Sequence, residues 1–380
     1  MRTVAVFFGG RSCESEVSIL TGVFVLNILD REKYNPIPVY VHTDGGMYTS
    51  EKMKDVAVFR EKRYSSFERI FLDGGSMYAL NGAKRKIKRM AKIDVVLNCC
   101  HGGLGEGGGV SAVAEWNDIP LASPDIPSSA VFMDKCMTKV VARGLGIPTL
   151  DYIRVNESDY EKRGAFLLKS IEGRLKYPVV IKPAHLGSSI GIAVAKNEGE
   201  AKTALQTAFT IDYRAIIEPY LEEKVDVNCA VYSLNGEIFV SEAEPAFGEG
   251  LYSFEEKYIK RQSDGVIRKG ETPSTPKDGG RYALDGDTEK KIKAYTRTLY
   301  KRMNMKGVVR LDFLVSEKNV YLCEVNTVPG SLAYYLFCER LTDARTFFGD
   351  LLEEAIREFS TKQKKILTTG ILKTAPQSRK

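Results

Sequence analysis

Apolar, β-rich runs alternate with amphipathic segments through the first third of the chain. Residues 3–8, 37–41 and 93–98 read as buried strands, and 16–29 reads as a helix set between the first two. Near-continuous apolar strands separated by helices predict a parallel sheet covered on its faces. The sequence SPDIPSS at 123–129 interrupts that rhythm, and a helix is expected from about 130 to 145. Strands are expected next at 178–183, 215–221, 227–234, 237–243, 308–315 and 320–326. Several of these are joined by hairpin-length loops, which favours an α+β arrangement with antiparallel sheets. Residues 247–281 are rich in Gly, Lys and Glu and lack sustained periodicity, so they read as a lid or a disordered insert. The pattern therefore predicts an α/β and α+β chain: a parallel α/β unit before the break at 123–129, an α+β remainder after it and a peripheral tail at 361–380.

Composition narrows the functional classes. A chain of 380 residues with 43% hydrophobic and 27% charged positions buries a core readily. The formal charge of +6 is matched by Lys362, Lys364, Lys365, Lys373, Arg379 and Lys380 in an acid-free tail, so the body is close to neutral and nucleic-acid binding is disfavoured. Seven cysteines without a CxxC pair point away from disulfide frameworks and zinc ribbons and towards the cytoplasm. The most apolar stretch, 17–29, falls short of the ~20 residues that span a bilayer. No export signal is read at the start, and membrane insertion is not expected.

Six segments carry candidate chemistry. GGRSCESEVS (9–18) ends the first strand and starts a helix, with Ser12 or Ser15 as possible caps and Glu14 and Glu16 complementing the dipole. A dinucleotide site is a poor fit there, because the GxGxxG spacing is absent. HGGLGEGGG (101–109) follows a strand at its carboxyl end, where open α/β sheets bind ligands; six glycines in nine residues suit close backbone approach, and His101 opens the loop. KPAHLGSSIGI (182–192) sets Lys182 beside a Gly-Ser-Ser-x-Gly turn, an anion cradle in which the lysine precedes the glycines and so differs from a Walker A loop. Lys135, in MDK, is a second candidate cation, and Glu218 ends an apolar strand in AIIEPYLEEKVDVNCAV (215–231). In residues 308–330, Asp312 lies within an apolar strand, while Glu324 and Asn326 share a face of the next. A three-residue hairpin loop, 317–319, sets Asp312 opposite Glu324 and Arg310 opposite Asn326; a four-residue loop sends Asp312 to the wrong face. Two carboxylates and an amide suit Mg²⁺ shared with nucleotide phosphates.

In this order, GGRSCESEVS, HGGLGEGGG, MDK, IKPAHLGSSIGI, IIEPYL, EEKY, VRLDFLV and CEVNTVPG resemble the D-alanine–D-alanine ligases of the ATP-grasp superfamily, from about residue 3 to about 355. The resemblance implies three subdomains: a substrate-binding one at 1–127, a central ATP-grasp lobe at 128–217 and a C-terminal lobe at 218–360. It implies ATP held between the last two, with Lys135 and Lys182 on its phosphates, Lys257 nearby, Glu218 and the Leu221 backbone at adenine, and Asp226 at ribose. It places two Mg²⁺ ions, or Mn²⁺, on Asp312, Glu324 and Asn326. Glu14 takes the ammonium of the first D-amino acid, and Ser188 and Tyr258 join Glu14 in closing the lid. Arg310 and Gly330 face the reacting carbonyl and the second substrate; His101, Tyr335 and Leu336 belong to the substrate side. The implied reaction joins two D-alanines through an acyl phosphate for peptidoglycan precursor synthesis, in a homodimer. Four positions depart from the family pattern: Gly107 for Asp, Ser111 for Gln, Asp226 for Glu, and Tyr335 for the Ser of a Ser-Leu pair. A bulky phenol there leaves a D-alanyl-D-X ligase with another acceptor as one alternative; a nucleotide-binding paralogue without catalysis is the other.

Overall fold

The computed structural model describes residues 1–81, 86–246, 284–317, 319–362 and 369. Its first sheet has eight strands in the order β6-β5-β4-β3-β2-β1-β7-β8. They are Arg2–Gly9 (β1), Tyr34–Val41 (β2), Met47–Thr49 (β3), Glu68–Asp73 (β4), Ser76–Asn81 (β5), Lys86–Lys92 (β6), Val95–Asn98 (β7) and Leu121–Ala122 (β8). The parallel part is β2-β1-β7-β8, as the apolar runs predict. An antiparallel extension, β3 to β6, was not foreseen. Its outer strand reads KIKRMAK and is exposed almost throughout, so it lacks the half-buried alternation that marks a strand in sequence.

The helix Ser15–Ile28 is apolar on most sides because it lies between that sheet and the C-terminal helix Leu341–Lys362, in one core with Val4, Phe8, Leu97, Phe348 and Leu352. Gly22 is required there: a Cβ would fall 2.5 Å from the Cβ of Phe8. The chain's end thus returns to cover its beginning.

Two further sheets follow. Ile153–Asn156 (β9), Val179–Pro183 (β10), Ala193–Ala195 (β11) and Arg214–Pro219 (β12) form an antiparallel sheet in the order β11-β10-β12-β9. Helices Glu157–Arg174 and Glu198–Phe209 cover it through Leu168, Ile171, Ala201 and Leu205. Val225–Leu234 (β13), Glu237–Val240 (β14), Glu244–Ala246 (β15), Val309–Ser316 (β16) and Asn319–Asn326 (β17) form the third, backed by the helix Gly286–Arg302. Among the described residues no helix is long and apolar enough to cross a membrane.

Two local expectations need correction. The helix expected over 130–145 is two helices, Ile126–Met133 and Lys135–Gly144, broken at Asp134 (φ −97°, ψ 113°). Asp134 leaves the helical region to cap the second helix, accepting from the amides of Cys136 and Met137. The β16–β17 turn is also shorter than expected, since Ser316 pairs with Asn319. The expected pairing nevertheless forms: the register slips between Phe313–Leu322 and Asp312–Glu324, leaving Cys323 as the extra residue of a bulge.

Candidate active site

The bulge decides which side chains meet. Asp312 stands opposite Glu324 and Arg310 opposite Asn326, so two carboxylates, an amide and a guanidinium share one patch of the hairpin. Arg310 forks onto Asp312, Nε to Oδ1 at 2.7 Å and Nη2 to Oδ2 at 2.8 Å, while Asn326 Nδ2 donates to Oδ2 at 3.0 Å. Glu324 Oε2 lies 3.4 Å from Lys135 Nζ. The donor set, all hard oxygen atoms on adjacent strands, fits a divalent ion such as Mg²⁺.

Facing this hairpin is a layer of buried lysines. Lys182 on β10 contacts Glu218 on β12 at 2.7 Å, and Lys139, only 1% exposed, meets the other oxygen of the same carboxylate. Burial alone would push the Glu218 carboxyl up; Lys139 and Lys182 reverse that and hold it at about 2. Burial also opposes the Lys182 ammonium, yet Cys323, Glu218 and Glu324 together raise its pKa. Cys323 faces Lys182 at 3.6 Å, so the bulge residue too takes part. Lys135 donates to the carbonyl of Leu186 at 2.5 Å, tying its helix to the Gly-Ser-Ser turn that follows β10.

The glycine-rich segments close the other side. Ser188 donates to Glu14 Oε1. A Cβ on Gly187 would lie 2.8 Å from that oxygen, and one on Gly102 would lie 2.5 Å from Oε2, so the carboxylate rests directly on two backbones. Ser188 and Ser189 are both left-handed (φ 54° and 60°). Neither Ser12 nor Ser15 caps the first helix as expected. Glu14 is its N-cap residue without a side-chain cap, and Ser12 Oγ instead accepts from the amide of Glu14 at 3.0 Å.

Glu106, which the sequence did not single out, fastens two loops together. Its Oε2 accepts from Gly102 N (2.8 Å), and its Oε1 accepts from Thr327 N and Val328 N (both 3.1 Å) and Thr327 Oγ1 (3.3 Å). Burial and the nearby Glu14 push its pKa up to about 7 against those donors. His101 is fixed as one neutral tautomer: Nδ1 donates to the Val328 carbonyl at 2.7 Å, and Nε2 accepts from Thr21 Oγ1 at 2.8 Å. Burial holds its pKa down at about 4, although the Val328 carbonyl opposes this. Thr21 Oγ1 in turn accepts from Ser331 N at 3.3 Å. Ser331, Leu332 and Ala333 are three consecutive left-handed residues (φ 52°, 52° and 50°), a costly turn held by packing. Beyond it Tyr335 accepts from Arg310 Nη1 at 3.3 Å.

One cavity collects Glu14, His101, Glu106, Lys135, Gly187, Arg310, Glu324, Asn326 and Gly330 in its wall. Asp312 adjoins it through Arg310, whereas Lys182 and Glu218 pair with each other outside its lining. Asp226 pairs with Lys224 near the start of β13, Leu221 is half-buried just after β12, and Leu336 is buried behind the left-handed turn. Gly107 lies within the glycine-rich helix start, and Ser111 donates to the Pro124 carbonyl at 2.9 Å. Residues 247–281, with Lys257 and Tyr258, lie outside the described residues, as does the tail beyond 362 except residue 369. Lys139, Glu106 and Thr21 are the additions of the structure.

A parallel α/β unit joined to two antiparallel sheets, with the buried Lys182 on one and paired carboxylates on the other, defines an ATP-grasp protein. Sequence profiles for the N terminus and C terminus of D-alanine–D-alanine ligases match residues 3–124 and 141–357. The D-alanine–D-alanine ligase of Thermosipho melanesiensis is 30% identical over 379 residues, covering 98% of this chain and 99% of that one. The Helicobacter pylori D-alanine–D-alanine ligase structure superposes with a TM-score of 0.74 at 26% identity, over 96% of this chain and 100% of the other. The Coxiella burnetii ligase shares the fold at a TM-score of 0.76 and 23% identity, over 96% and 98% of the two chains. This chain belongs to the D-alanine–D-alanine ligase family.

Proposed function

We propose that this protein is an ADP-forming ligase that uses ATP to join two D-alanines, the dipeptide step of peptidoglycan precursor synthesis. The convergence of Glu14, Lys135, Arg310, Glu324 and Asn326 on one cavity carries this reading. A carboxylate is a poor electrophile, so the first D-alanine must become an acyl phosphate before an amine can attack it. Glu14 suits the ammonium of that D-alanine, because Ser188 and two glycine backbones hold its carboxylate in place. Lys135 and Lys182 neutralise phosphate charge, and Glu218, braced by two lysines, reads adenine with the Leu221 backbone. Asp226 is assigned to ribose, and Lys257 and Tyr258 to the closed lid. Asp312, Glu324 and Asn326 would hold Mg²⁺, which supplies charge stabilisation to the transferring phosphoryl group. Arg310, aimed by Asp312, stabilises the tetrahedral oxyanion when the second amine attacks. A paralogue without catalysis is disfavoured, since a chain freed from ligation gains nothing from this buried charge.

The test is phosphate release with Mg-ATP across a panel of D-amino acids, with product masses read from the same mixtures. D-alanyl-D-alanine with stoichiometric phosphate is the expected result; no phosphate release with any pair removes the ligase reading. The contact of Tyr335 with Arg310 gives a second reading some weight, namely a different acceptor in the second position. Tyr335→Ser should change the KM for the second D-amino acid at least about fivefold more than that for the first. Equal changes in both constants would remove Tyr335 from the acceptor subsite.

A further inference from the structure

Behind the anion-binding turn lies a second cluster of charge that the proposed reaction leaves unused. Asp134, at the break between helices, gives Oδ1 to the amides of Cys136 (2.7 Å) and Met137 (3.2 Å). Its Oδ2 receives Arg214 and lies 3.4 Å from Nε2 of His185. At the other edge of the imidazole, Nδ1 stands 2.9 Å from Asp212 Oδ1, and the His185 amide donates to Oδ2 at 2.7 Å. Tyr213 stacks on the ring with centroids 4.9 Å apart, and its hydroxyl lies 3.4 Å from Nε2. Arg214 also donates to Asn156 on β9 at 2.9 Å, and Arg154 of the same strand acts electrostatically on Cys136.

Both ring nitrogens face carboxylates. A neutral imidazole has a single N–H and would turn a lone pair towards one of them, whereas the imidazolium satisfies both. Charge counting agrees: Asp134 and Asp212 are balanced by Arg214 and His185 only while the histidine is protonated. The cluster is also bonded into the cleft. Lys135 N donates to Ala184 O at 3.0 Å, Ala184 N donates to Arg214 O at 3.0 Å, and Lys135 Nζ donates to Leu186 O at 2.5 Å. His185 thus sits between the two residues whose carbonyls receive Lys135, three positions before Ser188.

We propose that His185, as an imidazolium bridging Asp134 and Asp212, is a positioning residue for ATP binding: it fixes the turn at 187–191 and the Leu186 carbonyl against Lys135, and its deprotonation loosens both. This rests on the nucleotide role proposed above for Lys135 and that turn. Hydrogen bonds from Asp134 and Asp212 carry the His185 pKa from 6.5 up to about 9, against burial. Burial would raise Asp134, but His185 and the capping amides hold it at about 2, so it stays charged throughout. Asp212 is likewise held below its usual range by His185 against burial. Burial pushes the Cys136 thiol up to about 12, so it stays neutral through the window where His185 titrates. A raised histidine pKa means that the contribution is full below about 6.5, declines as pH rises and is gone above about 9.

The experiment is calorimetric binding of a non-hydrolysable Mg-ATP analogue to the full chain from pH about 7 to about 10, for wild type, H185N and H185R. The wild-type Kd should rise about tenfold across pH 9, and the H185N Kd should be about tenfold higher than wild type at pH 7 and flat. H185R, charged at every pH used, should keep tight binding above pH 9; it also tests the idea should H185N fold poorly. Wild-type and H185N profiles that coincide overturn this proposal alone, as does an H185R profile that weakens with wild type. A wild type that binds no nucleotide overturns the ligase reading and this one with it.

Discussion

Arg310→Lys should lower kcat about 10²- to 10³-fold while the Kd for ATP changes less than about twofold. The guanidinium makes three directed contacts at once, two to Asp312 at 2.7 and 2.8 Å and one to Tyr335 at 3.3 Å. Lysine keeps the charge and loses the planar fork, so it cannot hold Asp312 on both oxygens and face a reacting carbonyl as well. The loss falls on the step where charge develops on the carbonyl oxygen, which is why turnover suffers and ground-state nucleotide binding does not. Steady-state kinetics with saturating D-alanine, set beside calorimetric ATP binding, separate the two effects. An equal fall in ATP affinity would assign Arg310 to the nucleotide and leave the oxyanion without its donor.

The pairing of Asp312 with Glu324 was legible because carboxylates in apolar strands are rare enough to be informative one by one. The reason given for it was not: the turn is one residue shorter than expected, and a bulge at Cys323 restores the register. A bulge leaves no mark in a run such as VYLCEVN, since the extra residue has no distinctive side chain. Lys139 was illegible for another reason. On a helix starting KCMTKVVARG it looks like an ordinary surface lysine, and only the approach of β12 carries Glu218 to it. Glu106 was hidden among glycines whose flexibility drew the attention, although its carboxylate is what binds that loop to Thr327 and Val328. The helix break at Asp134 lies between two helix-forming stretches, IPSSAVFM and KCMTKVVARG, with no Gly or Pro beside it to mark it. Chemistry that depends on residue type at a fixed offset within one strand was readable. Chemistry made by partners from distant elements was not.

Lys139→Met is the substitution expected to cost the fold most, roughly 3 kcal/mol of unfolding free energy. Lys139 is 1% exposed and Glu218 3%, so neither charge has water to fall back on. Methionine fills the volume but leaves Glu218 with Lys182 alone, 2.7 Å from its other oxygen. Adding Glu218→Gln to Lys139→Met should recover part of the loss, because the double change no longer buries a half-compensated carboxylate. The pH dependence gives an independent check. A glutamate held at about 2 adds stability above its unfolded value near 4.5 and loses it as pH falls through that window, so wild type should weaken on acidification between those limits. With Lys139 gone, the Glu218 pKa rises and this part of the acid limb flattens. Denaturant unfolding of wild type, the single and the double variant at pH about 7 and about 3 measures both effects. A single variant within about 0.5 kcal/mol of wild type at neutral pH, with an unchanged acid limb, would mean that Lys182 holds Glu218 unaided and that the second lysine serves only the bound nucleotide.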